Sequence, residues 1–286
     1  MLRSCSRSGD KNSRQLALLA LAAMGRKYAE GEIASSFECL PPSSLHFSSI
    51  KILEAWDDPK HDAILVAALR RFAPPEGIMG ALARKFVPEE DEIERPRNGL
   101  LVAISRMLLA RHTPSSLPSA TACLLERVLR GDRKVCDAEA GFLLYLLSPT
   151  DGFAKIYANL SNRVPLAREE AAVFLTLIGT DETLNALIAI AQGSPDHGGH
   201  EAACALLLSD NPRAKEAAEK WARRNDGYEE TEGREIDLNG RKLKTWSMDE
   251  MMRANMRTFV QGCSERVNRD YAPLLSKWRR QNGGCF

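Results

Sequence analysis

The stretch 166–192, LAREEAAVFLTLIGTDETLNALIAIAQ, constrains the fold more than any other part of the chain. Its first half places Ala171, Phe174, Leu175 and Ile178 at i, i+3, i+4 and i+7, one face of a helix. Gly179 follows where a helix end favours a left-handed residue. Thr180 then supplies an N-cap, with Asp181 and Glu182 in the acidic first turn that the helix dipole favours. A second helix carries Leu184, Leu187, Ile188 and Ala191 on its inner face. Two short amphipathic helices joined by a tight turn cannot bury both apolar faces alone, so the unit has to be stacked on others.

The unit recurs. Thr150-Asp151, Thr180-Asp181 and Ser209-Asp210 lie 30 and 29 residues apart, each between two helical patterns. In the third copy Pro212 sits at or near the first helical position, where its missing N–H is harmless. A period near 30 residues with helix-turn-helix content is the signature of a helical solenoid. On the residues Arg168, Glu169, Glu170, Ala171, Leu175, Ile178, Gly179, Thr180 and Asp181, the stretch resembles HEAT repeats, in particular the short HEAT-like class known from phycobilisome lyases. The resemblance covers about a third of the chain and implies an all-α solenoid. Such folds hold partner proteins on a concave surface lined by the second helix of each hairpin.

The same spacing recurs at the N-terminus, where Arg14, Ala17, Leu21, Met24 and Gly25 repeat the intervals of Arg168, Ala171, Leu175, Ile178 and Gly179. LALLALAAM (16–24), which follows a basic segment as a signal peptide's apolar core would, is therefore read as a repeat helix. Residues 1–13, rich in Ser and basic groups, are expected to be a disordered tail. The expected array runs over 14–224, with further helices near 48–56, 60–72, 75–86, 97–111, 116–130 and 137–147 and a charged loop at 87–96. A polar linker follows at 225–233. Then comes a β-hairpin at 234–246 around Asn239-Gly240, the dipeptide that type I′ turns favour. Counting outward pairs Leu238 with Arg241, Asp237 with Lys242, Ile236 with Leu243 and Glu235 with Lys244. Residues 247–286 are expected to form a helical cap, opened by the capping box Ser247 to Glu250, with one helix over 248–269 and a shorter one after Pro273.

Composition narrows the function classes. A net charge of +1 gives no global pull toward nucleic acid or an acidic membrane. No apolar run reaches the roughly 20 residues of a membrane-spanning helix, and no membrane partner is expected. Seven cysteines without C-x-x-C spacing match neither a disulfide framework nor a zinc ribbon and suit a cytoplasmic setting. Cys123 and Cys204 read as small buried hydrophobes.

No constellation points to catalysis, a metal or a cofactor. His197 and His200 are the only close histidine pair, and the glycines between them suggest a loop. Trp56, Asp57, Asp58, His61 and Asp62 gather acid–base groups, but Asp58 before Pro59 and Asp62 in the following turn are what a helix start requires. The one basic segment is C-terminal: residues 253–280 hold seven Lys/Arg against Glu265 and Asp270, a local charge of +5. The expected partner-binding residues are therefore Arg241, Lys242, Lys244 and Trp246 of the hairpin region with Arg253, Arg257, Trp278, Arg279 and Arg280 beyond it. The leading expectation is a non-catalytic scaffold for a protein partner. A nucleic-acid-binding or repair protein of the HEAT-like class comes second, and a lyase-type enzyme subunit third.

Overall fold

The computed structural model describes residues 5, 10–39, 52–55, 58–73, 91–131, 138–162, 164–193, 198–224, 234–238, 241–245 and 248–281; for 91–98, 222–224, the strands and 248–257 it describes the backbone. The described residues are mostly helical. They fall into two compact units, Met1–Val135 and Cys136–Phe286, so the boundary lies inside the expected array.

The first unit holds α1 (Lys11–Met24), α2 (Arg26–Cys39), a 3-10 turn (Pro59–His61), α3 (Asp62–Phe72), α4 (Asp91–Arg111) and α5 (Ser119–Arg130). Successive helices pack on one another, with α3 touching α2, α4 and α5. Helix α1 starts three residues before the expected array: the Asp10 carboxylate accepts the Ser13 N–H at 2.7 Å and caps it. Gly25 ends it at φ 126°. The loop expected at 87–96 is corrected for 91–96, which are helical as the first turns of α4. Their acidic residues favour a helix N-terminus. The helix expected at 75–86 lies outside the described residues. Cys123, expected inside, is exposed on α5, one position off the buried stripe of Thr121, Leu124, Leu125 and Val128.

The second unit holds three helix pairs: α6 (Ala138–Leu147) with α7 (Pro149–Asn159), α8 (Pro165–Ile178) with α9 (Asp181–Gln192), and α10 (His200–Leu207) with α11 (Pro212–Arg224). The first helices pack in series, α6 on α8 and α8 on α10. Between α8 and α9 the local signals act as read. Gly179 is left-handed at φ 62° and Thr180 Oγ1 accepts the Thr183 N–H at 3.3 Å. Ala171, Phe174, Leu175 and Ile178 are at most 1% exposed. The other turns use different residues: Ser148 precedes Pro149 in the first, and Asn211, not Ser209, accepts the Arg213 N–H at 2.9 Å in the third.

Strands β1 (Arg234–Leu238) and β2 (Arg241–Thr245) pair antiparallel, with Glu235 opposite Lys244, Ile236 opposite Leu243 and Asp237 opposite Lys242. Asn239-Gly240 and the linker 225–233 lie outside the described residues. The C-terminal region differs from expectation: α12 is one helix, Met248–Gln281, running through Pro273. An interior proline removes a backbone bond and costs about 3 kcal/mol. The buried stripe of Val267, Tyr271, Leu274, Leu275 and Trp278 supplies packing on both sides of it.

Candidate partner-binding surface

The charged triplet at the start of α8 ties the second unit together. Arg168 Nε donates to Glu201 Oε1 at 2.7 Å, and its Nη1 to the Asn162 carbonyl at 2.8 Å. The Glu201 side chain is 2% exposed, so the pair joins α8 to α10 nearly out of water. Glu170 turns the other way and meets Arg266 of α12 at 2.6 Å. Glu169, between them, is 6% exposed. Burial, reinforced by the Glu201 charge, holds its carboxyl above the usual glutamate range.

Helix α12 then lies across all three first helices. On α6, Glu139 accepts the Tyr271 hydroxyl. On α8, Phe174 stacks on Phe142 at 4.9 Å, and Tyr271 meets both rings edge-on at 5.2 and 5.5 Å. The Arg279 guanidinium donates to the Ile178 carbonyl at the end of α8, complementing the negative pole of that helix. Against α10, a cavity of about 270 Å³ is lined, among the described residues, by Cys204, Leu207, Leu208 and Gln261. The first helices are thus covered. On the second helices, Tyr157 of α7, Asn185 and Ala189 of α9 and Arg213 and Lys220 of α11 are exposed. Arg213 donates to Asn185 at 2.7 Å and joins α9 to α11.

Of the candidate residues from the sequence, Trp278, Arg279 and Arg280 have described side chains. Trp278 is 1% exposed and packs in the core, so it has no free face for a partner. Arg279 is half-buried on Ile178, and Arg280 is exposed with its Nε on the Ser276 carbonyl at 3.2 Å. Arg241, Lys242 and Lys244 lie on β2, and Arg253 and Arg257 on α12. Trp246 lies outside the described residues. Two of the seven basic residues of the segment 253–280 form ion pairs within the protein, Arg266 with Glu170 and Arg269 with Asp270 at 2.8 Å.

No family model, no curated protein and no solved structure matches this chain.

In the first unit the acidic segment at 58–62 forms caps and bridges. Asp58 caps the 3-10 turn by accepting the Lys60 N–H at 3.0 Å. Lys60 and His61 both grip Glu30 of α2 at 2.8 Å. Lys60's hydrogen bond, against a smaller opposing effect of burial, keeps the Glu30 carboxyl below its usual range. Arg111 and His112 grip Asp62 in the same manner, at 3.0 and 2.7 Å. Sequence reading missed Glu30, Arg111 and His112 because they stand 30 to 50 residues from their partners. With both oxygens of Asp62 engaged, the arrangement locks α3 to the end of α4. Among the described residues no group of three or more His, Cys, Asp or Glu could hold a metal ion. None of their helices is long and apolar enough to cross a membrane.

Proposed function

We propose that the chain is a HEAT-like helical-repeat scaffold that binds a protein partner on the exposed residues of α7, α9 and α11, in the cytoplasm. One observation carries the reading: α12 packs on the first helices, which leaves the exposed residues of the second helices for a ligand. Stacked hairpins commonly use that row as an extended binding surface. Its chemistry suits a protein, with an aromatic at Tyr157, amide at Asn185 and mixed charges on α11. A nucleic-acid reading draws less support, since Arg266, Arg269 and Arg279 are engaged by Glu170, Asp270 and a carbonyl.

The test is affinity capture from nuclease-treated lysate with three baits: the intact chain, a variant carrying Tyr157→Glu with Asn185→Arg, and Arg269→Glu on the outer side of α12. A stoichiometric protein lost with the first variant and kept with the second supports the reading. Nucleic acid as the sole co-purifying species, or a protein lost only with Arg269→Glu, overturns it.

A further inference from the structure

Helix α1 repeats the signature of α8, and the positions that fold inward correspond. Arg14, Ala17, Leu18 and Leu21 are 6%, 3%, 4% and 4% exposed, and their counterparts Ala171, Ala172 and Leu175 are fully buried. Both helices end on a glycine of positive φ, Gly25 and Gly179. The correspondence fails on one face only. Leu16, Leu19, Ala20 and Met24 stand where α8 has Glu170, Val173, Phe174 and Ile178. In α8 these are covered: Glu170 by Arg266, Phe174 by Tyr271 and Phe142, and the Ile178 carbonyl by Arg279. In α1, Leu16, Leu19 and Met24 are 67%, 40% and 57% exposed.

We propose that this stripe of α1 seats an amphipathic helix from a partner protein, much as α8 seats α12. The inference goes beyond the proposed surface on the second helices and does not depend on it. The internal repeat supplies the occupant's chemistry. On α12, Tyr271 meets Phe174 of α8 and belongs to a buried stripe with Val267, Leu274 and Trp278, and Arg266 beside it matches Glu170. Leu16 stands in place of Glu170, so the helix seated on α1 carries an apolar residue where α12 carries Arg266. Size favours a single helix over a second copy of the chain. The three exposed side chains offer about 300 Å², against roughly 800 Å² per partner in a stable dimer. A single helix seats on such a stripe through anchors at i, i+3 or i+4, and i+7.

The probe is a fluorescein-labelled peptide of residues 258–281 carrying Arg266→Leu, titrated into the full chain by fluorescence anisotropy. Expected is a Kd in the micromolar range, weakened at least about tenfold by Leu16→Asp with Met24→Asp and unchanged by Leu166→Asp in the second unit. The substituted side chains are exposed, and circular dichroism checks that each variant keeps its helix content. Absence of binding overturns the proposal. So does equal binding to the α1 variant, because the peptide is then seated elsewhere. Sedimentation showing a dimer that Leu16→Asp dissociates also overturns it, in favour of a second copy. Loss of capture on Tyr157→Glu bears only on the other surface, so the two readings fail separately.

Discussion

Arg168 and Glu201 form the most deeply buried ion pair described in the second unit, 2.6 Å apart with the two side chains 16% and 2% exposed. A buried charge left without its partner is strongly destabilising, whereas an apolar pair of similar volume is tolerated. Glu201→Ala is therefore expected to destabilise the protein by roughly 3–5 kcal/mol. The double substitution Arg168→Met with Glu201→Leu should recover most of that loss. Urea denaturation of the three proteins checks it. If the single and double variants lose the same amount, the pair does not act as a unit.

Glu169 gives the second unit a pH dependence of definite sign. Its carboxyl is held above the usual range by burial and then by Glu201 and Glu170, with Arg168 opposing. A raised folded-state pKa means that Glu169 favours the fold fully below its unfolded value and that this contribution is lost as pH rises through the folded value. Glu169→Gln removes the ionisation and keeps the shape. Expected is a higher denaturation midpoint for the variant at pH 7, with the difference shrinking toward about pH 4, near the unfolded glutamate pKa. Equal midpoints at both pH values would show that the carboxylate is not strained at neutral pH.

Pro273 interrupts the hydrogen-bond ladder of α12 in its interior. Its missing N–H leaves the Arg269 carbonyl, one turn earlier, without the usual helical donor. Pro273→Ala should raise stability by roughly 1–3 kcal/mol, the lower figure applying where proline's stiffening of the unfolded chain offsets part of the gain. The checking measurement is the thermal midpoint. A drop would mean that the proline's stiffening of the unfolded chain outweighs the lost helical hydrogen bond.

What could be read from the sequence was local. Gly179 and Thr180 announce the α8–α9 turn because a left-handed glycine and a capping hydroxyl act within a few residues of their own position. Asp10 carried the same kind of signal, three residues before Ser13, but the Ser-rich basic surroundings obscured it. Trp278 was assigned to the surface from its basic neighbours, although its spacing from Tyr271, Leu274 and Leu275 is that of a buried helical stripe. The continuity of α12 through Pro273 is a tertiary effect, in which packing outweighs propensity. Glu170 and Arg266 lie 96 residues apart, and no local pattern marks them as partners. The placement of α12 over the first helices was therefore hidden from any local pattern.

Glycine makes a close approach between α6 and α7. A Cβ on Gly152 of α7 would stand 2.2 Å from the Tyr145 backbone of α6, and one on Gly141 would stand 2.7 Å from an Ile156 side-chain carbon. The two obstacles differ in depth. At Gly141 the Ile156 side chain can shift and its backbone nitrogen, at 3.1 Å, must give by a few tenths of an ångström, whereas at Gly152 the Tyr145 backbone at 2.2 Å moves only if α6 and α7 separate. Gly152→Ala is expected to cost more than about 3 kcal/mol, at the severe end of overpacking. Gly141→Ala should cost about 1–2 kcal/mol, because its nearest obstacle is a side chain and the backbone atom behind it stands farther off. Urea denaturation of both variants, followed by circular dichroism, tests the order. If Gly141→Ala proved the more damaging, the tight contact would lie on the Ile156 side of the pair, and the α6–α7 spacing would not be set at Tyr145.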